Sequence, residues 1–157
     1  MIIGIDPGTK GGLCLMTDFG EVVETISLTG LKEKEVAFAL AKWSEVCDDI
    51  PAVFIEKVGY IRGDGAGGSF TFGAAFGLLR GIVLGLGWTP RYVYPMMWQS
   101  SLNCLSGGNK NVTKRMAIDL FPEYHAQRPR GIIHDIADSI LIAEYGRRHL
   151  EKLRQEN

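Results

Sequence analysis

Three short apolar runs open the chain, at residues 1–6, 11–17 and 21–28. Turn-forming residues separate them, Pro7-Gly8-Thr9-Lys10-Gly11-Gly12 and then Asp18-Phe19-Gly20, so the pattern predicts three successive strands. Over 32–48 the period changes. Val36, Leu40, Trp43 and Cys47 recur at steps of four, three and four residues, which is one face of a helix. Residues 52–58, Ala-Val-Phe-Ile-Glu-Lys-Val, return to a mostly apolar run and predict a buried central strand. A glycine-rich loop is expected at 59–68, then a long apolar segment at 69–86. A fifth strand is predicted at 91–95, a short helix at 96–103, a loop at 104–110 and a helix at 111–121 with Asn111 or Thr113 as its cap. Residues 123–133 read as a loop and about 134–149 as a final helix with a charged tail. This order predicts an α/β fold: a mixed five-stranded sheet with helices on both faces, strands one and four being central neighbours.

The segment 69–86 has the apolar character of a membrane span, but Arg80 stands in its middle and about 18 residues is marginal for a bilayer. Glycines at 73, 77, 81 and 85 form one smooth stripe on a helix. Two uses remain open: close packing on a neighbour in the core, or packing against a second subunit. A bilayer crossing fits less well, because the rest of the chain has the mix of a soluble protein, 46% hydrophobic and 22% charged. At 157 residues, without repeats or a long linker, one domain spanning 1–157 is expected. Three widely spaced cysteines and no secretory leader point to a reducing cytoplasm. The net charge of −1 hides a division: −5 over residues 1–60 and +4 over 61–157. A basic face beside an acidic pocket is compatible with that split.

Several carboxylates stand where apolar residues are expected. Asp6 ends the first strand and Glu56 lies within the fourth. A buried carboxylate is costly unless it is paired or bound to a cation, and two on adjacent strands repel one another. Oxygen donors of this kind suit magnesium. Asp135 and Asp138 lie three apart on the last helix, whose Ile136, Ile140 and Ala143 form an apolar side. Four carboxylates could thus converge. Two ions about 4 Å apart clamp the attacking and leaving oxygens of a phosphodiester, and such chemistry needs no nucleophilic side chain. Asp6 before Pro-Gly also suits a turn, and Asp135 also suits a helix N-terminus. Glu56 has no comparably simple structural use.

Ile3-Gly4-Ile5-Asp6-Pro7-Gly8-Thr9, Phe54-Ile55-Glu56-Lys57-Val58 and Asp135-Ile136-Ala137-Asp138-Ser139 resemble, in order and spacing, the three motifs of RuvC-like Holliday-junction resolvases. Leu120-Phe121-Pro122 after Lys114-Arg115 looks more like the phage branch of that family, which would place the protein in a bacterial host cytoplasm. The resemblance implies a ribonuclease-H-like fold, a homodimer, and two magnesium ions per site, with manganese as a substitute and no small-molecule cofactor. It implies symmetric nicking of four-way DNA, leaving 5′-phosphate and 3′-hydroxyl ends. Carried over by position, Asp6, Glu56, Asp135 and Asp138 are the metal-binding and catalytic set. Lys110 matches a phosphate-holding residue, with Lys114 and Arg115 close by. Many relatives carry a lysine after the fifth strand, where this chain has Gln99. The family places an aromatic residue at the junction centre just after the second motif; Tyr60 is the nearest candidate, with Phe70 and Phe72 further on and Arg62 in the same loop.

Other functions compete. The turn after Asp6 is also similar to the first phosphate loop of sugar kinases and actin-like ATPases, but those folds need two such domains. A debranching or RNA–DNA hybrid nuclease of the same fold is a nearer alternative. A non-catalytic junction-binding module is a third, and it would be expected to have lost some of the four carboxylates.

Overall fold

The computed structural model describes residues 1–57 and 65–156. Tyr60 and Arg62 lie outside them. The strands are β1 (Ile2–Asp6), β2 (Gly12–Met16), β3 (Val22–Ser27), β4 (Ala52–Glu56) and β5 (Pro90–Val93). The helices are α1 (Glu33–Val46), α2 (Gly65–Gly85), α3 (Pro95–Ser101), α4 (Lys110–Leu120), α5 (Pro122–Gln127) and α6 (His134–Gln155). The sheet order is β3-β2-β1-β4-β5. β1 pairs antiparallel with β2 and parallel with β4, and β4 pairs parallel with β5. The mixed five-stranded sheet is as expected, with β1 and β4 side by side at its centre.

The strand period of two sorts side chains between two cores. On one face, Ile3, Ile5, Val53 and Ile55 pack with Leu40 and Trp43 of α1 and Leu79 and Val83 of α2. On the other, Ile2, Cys14 and Phe54 pack with Ile136, Ile140 and Ala143 of α6. Asp6 and Glu56 share the parity of Ile2 and Phe54, so both point to the α6 side of the sheet.

Local chemistry sets the helix boundaries. The Glu35 carboxylate accepts from the Lys32 N–H at the start of α1, 2.7 Å. Pro95 and Pro122 open α3 and α5, where a missing N–H costs nothing. Asn109, rather than Asn111 or Thr113, caps α4: its Oδ1 accepts from the Asn111 N–H at 3.1 Å. Three other expectations need adjustment. α5 occupies part of the predicted loop, α2 begins inside the predicted glycine loop, and α6 runs to Gln155 because its tail is rich in helix-forming Glu, Lys and Arg.

α2 is long and apolar enough to cross a membrane by length and composition. Its Leu79 and Val83 are nevertheless buried in the α1-side core, which commits one side of it to the domain. The glycine stripe is not that side. A Cβ on Gly73, Gly77, Gly81 or Gly85 would meet nothing within 4 Å among the described residues. Of the two uses left open, packing within the protomer is not seen among the described residues: the stripe is left open, with exposed Phe70 and Leu84 seven residues to either side of Gly77 on the same face.

β1 and α6 approach so closely that a Cβ on Gly4 would overlap the Ser139 carbonyl oxygen and the Ala143 nitrogen. Backbone on both sides cannot yield without moving the helix off the strand. Gly4→Ala is therefore expected to destabilise the fold by about 1–3 kcal/mol or more. Urea unfolding checks this, and an unchanged midpoint would show that α6 can shift freely.

Candidate metal and nuclease site

Asp6 and Glu56 occupy the C-terminal ends of two adjacent parallel strands, one residue past the Ile5–Ile55 pair. α6 crosses the same face and brings Asp138 to them. The three carboxylates line a single cleft of about 1350 Å³, together with Lys10 from the β1–β2 turn and Lys110 and Thr113 from α4. The remaining walls are the start of α2, the start of α3 and the 105–108 loop.

Asp6 and Glu56 are each gripped by a neutral donor. The Asp6 Oδ1 accepts from the Gly8 N–H at 3.0 Å, in a turn closed by Gly11 N–H to Gly8 O at 2.8 Å. The Glu56 Oε2 accepts from the indole N–H of Trp98 at 2.7 Å, with Trp98 itself fully buried. The Thr113 hydroxyl, which donates to the Lys110 carbonyl at 3.2 Å, stands beside Asp138 and opposes the rise in its pKa. The Asp138 Oδ1 is buried and has no hydrogen-bond partner among the described residues. None of the three makes an ion pair among the described residues, and Lys110 acts on them only through its field.

The electrostatic result is unfavourable for charge. Burial lifts Asp6 from its ordinary 3.8 to about 6, against the Gly8 N–H, with Asp138 and Asp135 adding to the rise and Lys110 opposing it. Burial, followed by the Asp6 charge, lifts Glu56 from 4.5 to about 8, while the Trp98 N–H and Lys110 oppose. Burial also raises Asp138, against Thr113, Lys110 and His134. Elsewhere the fold handles a buried carboxylate differently. Glu144 is held by Arg147 at 2.8 Å and Arg148 at 2.6 Å, and its pKa is lowered.

Among the described residues, no three His, Cys, Asp or Glu side chains are gathered tightly enough to hold an ion as they stand. The donor set nonetheless fits a hard divalent cation. It is all oxygen, it faces a cleft, and it includes one buried carboxylate oxygen without a partner.

Three of the four expected carboxylates therefore meet in the cleft. Asp135, one turn earlier on α6, does not line it; its Oδ2 accepts from Ser27 at 2.9 Å and Thr29 at 2.6 Å, tying α6 to the end of β3. The His134 Nδ1 is buried without a partner. Lys110 lines the cleft, whereas Lys114 and Arg115 do not, and Arg115 pairs with Asp119 at 3.0 Å. Phe70 is exposed away from the cleft; Phe72 lines it. Gln99 lines it too, its Oε1 accepting from the N–H and hydroxyl of Ser106 at 3.0 and 3.1 Å. Sequence reasoning missed Lys10, Trp98 and Thr113. Lys10 carried a usable signal, as the one cation in the turn after Asp6. Trp98 and Thr113 carried none, because their roles depend on contacts with distant segments.

Two solved structures share this architecture. The Thermus thermophilus RuvC structure superposes with a TM-score of 0.64 at 20% identity, covering 99% of this chain and 96% of that one. Thermus thermophilus RuvC in complex with a Holliday junction substrate gives 0.64 at 20% identity, covering 98% and 94%. The fold is thus the ribonuclease-H-like fold of RuvC. Both neighbours are the Thermus protein, so neither bears on the phage-like reading of Leu120-Phe121-Pro122. No protein-family profile and no curated protein sequence matches the chain.

Asp6 and Glu56 have folded-state pKa values above their ordinary ones, so their contribution is most favourable when they are protonated. In chelator, stability is expected to fall as pH rises through about 6 and then about 8. Glu56→Gln, which cannot ionise, gains stability relative to wild type over the upper part of that window. Thermal melts in chelator across pH measure it, and a wild-type-minus-variant difference flat in pH would contradict the assigned burial. Added magnesium or manganese is expected to raise the wild-type midpoint more at high pH than at low, because it binds the deprotonated groups.

Proposed function

We propose that this protein is a divalent-metal-dependent DNA endonuclease that nicks four-way junctions symmetrically as a homodimer, leaving 5′-phosphate and 3′-hydroxyl ends. One observation carries the reading: buried Asp6 and Glu56 and half-buried Asp138, paired with no cation among the described residues, converge from β1, β4 and α6 in a cleft that also holds Lys10 and Lys110. A RuvC fold, solved elsewhere on a Holliday junction, supports the choice of substrate.

Asp6, Glu56 and Asp138 would hold magnesium, while Asp135, held by Ser27 and Thr29 one turn away, adds negative charge near Asp6. Bound magnesium supplies positive charge that makes water a competent nucleophile and stabilises a leaving oxygen. The chain's own residues prepare that chemistry. The Gly8 N–H fixes one Asp6 oxygen, and the Trp98 indole fixes one Glu56 oxygen while leaving Oε1 free for the cleft. Lys10 and Lys110 attract the phosphate to a floor that would otherwise repel it. Lys114 and Arg115 extend along α4 to meet a duplex arm outside the cleft. Tyr60 and Arg62 complete the proposed junction contacts, by stacking and by phosphate contact. The two buried cysteines suit a reducing cytoplasm.

The dimer is assigned to the open face of α2. A helix with an unpacked glycine stripe between exposed Phe70 and Leu84 can approach a second copy of itself closely, and a substrate with two equivalent strands calls for two sites. Gly77→Glu is expected to convert a dimer to a monomer in sedimentation. A monomeric wild type, or a dimeric variant, would remove this surface from the proposal.

The decisive experiment incubates the protein and magnesium with a synthetic four-way junction, flaps and an RNA–DNA hybrid, and maps the nicks. Paired nicks at symmetric positions on the junction are expected. Asp6→Asn and Glu56→Gln are expected to lower the cutting rate by at least about a hundredfold, while junction binding in calcium survives through backbone contacts. Full-rate cutting by either variant, or cutting confined to the hybrid, would overturn the reading.

A further inference from the structure

The carboxylates and lysines of the cleft suit a phosphate, but they leave its apolar rim unexplained. Tyr94, Met96, Met97 and Leu105 are 48%, 74%, 50% and 62% exposed, and all four line the cleft that contains Asp6, Glu56 and Asp138. Isolated exposed apolar side chains are ordinary; four together at a charged cleft mark a contact surface. Three of them belong to the run Tyr94-Pro95-Met96-Met97. Pro95 opens α3, the Met97 N–H bonds back to the Tyr94 carbonyl at 2.9 Å, and Trp98 anchors the run from below through Glu56. The ledge is therefore carried on a fixed element tied to one of the carboxylates.

A double helix would present this cleft with sugar, phosphate and base edges only, because the faces of its bases are stacked inside. A base face reaches a protein side chain only after it leaves the stack. Positive charge along a cleft combined with stacking side chains is the combination that binds single strands. Resting on the nuclease reading above, we infer that the ledge receives an unstacked base of the strand being cut, next to the scissile phosphate. The substrate is then a strand already unpaired at the cleavage point, and not a continuous duplex. Methionine is flexible and polarisable, so it seats any of the four bases and confers contact without sequence choice. Lys10 and Lys110, in the same cleft, take the flanking phosphates.

The test uses the full chain and a four-way junction in calcium. A tetrahydrofuran abasic residue is moved one nucleotide at a time across the nick position, and affinity is read by fluorescence anisotropy. Wild type is expected to lose about fivefold or more at one or two adjacent positions. Met96→Ser combined with Met97→Ser is expected to bind intact and abasic junctions within about twofold of each other. A thermal melt confirms folding, and Tyr94→Ser with Leu105→Ser carries the same test should the first pair fail to fold. Wild type indifferent to every abasic position, or a variant retaining the wild-type profile, overturns the inference. So does a variant whose sedimentation changes while its abasic profile does not, which would mark the ledge as a contact between copies. Absence of any junction binding by wild type defeats the nuclease reading instead.

Discussion

Three carboxylates are held where water solvates them poorly, and among the described residues no cation pairs with them. Most features around the cleft follow from that constraint. The contrast with Glu144 is instructive, because the same helix α6 carries both solutions. At Glu144 two guanidiniums satisfy a buried charge and its pKa falls. At Asp138, less than two turns earlier, one oxygen is left without a partner and the pKa rises. The fold is able to neutralise a buried carboxylate, and among the described residues it does not do so in the cleft. A site kept in that condition loses stability when its groups ionise, and it gains the most from any divalent cation that enters.

Bringing the three groups together demands unusual closeness between α6 and the centre of the sheet. Gly4 and Gly12 remove the side chains that would hold the helix away, at Ser139 and Ala143 and at the Asp135 carbonyl respectively. Gly146 does the same further along, against the ring of Phe54. The two faces of the sheet consequently divide the work. The α6 face is packed tightly enough to place chemistry. The α1 face carries an ordinary aliphatic core and a helix, α2, whose outer side is open.

The parts legible in the sequence were those written in one stretch of chain. A period of two gave β1 and β4, and a charge at the end of each apolar run was itself the anomaly that marked Asp6 and Glu56. The step of three linked Asp135 to Asp138 on one helix face, yet it did not reveal that their carboxylates part company. Ser27 and Thr29, more than a hundred residues away, turn Asp135 toward β3. Trp98 was silent for the same reason: an indole reads as core until its N–H is seen to end on Glu56. The cap of α4 was placed at Asn111 or Thr113, two or four residues late, because Asn109, Asn111 and Thr113 are all good capping residues and only the loop geometry before them chooses.

That loop also gives Gln99 its place in the site. The Gln99 carbonyl oxygen accepts two hydrogen bonds from Ser106. This pins a turn that passes through Gly107 and Gly108, both at positive φ, where a side chain would be strained. Immediately beyond it Asn109 caps α4, and Lys110 becomes the first helical residue, in the cleft and within electrostatic reach of all three carboxylates. A glutamine at 99 cannot supply a positive charge, but it fixes the turn that delivers one.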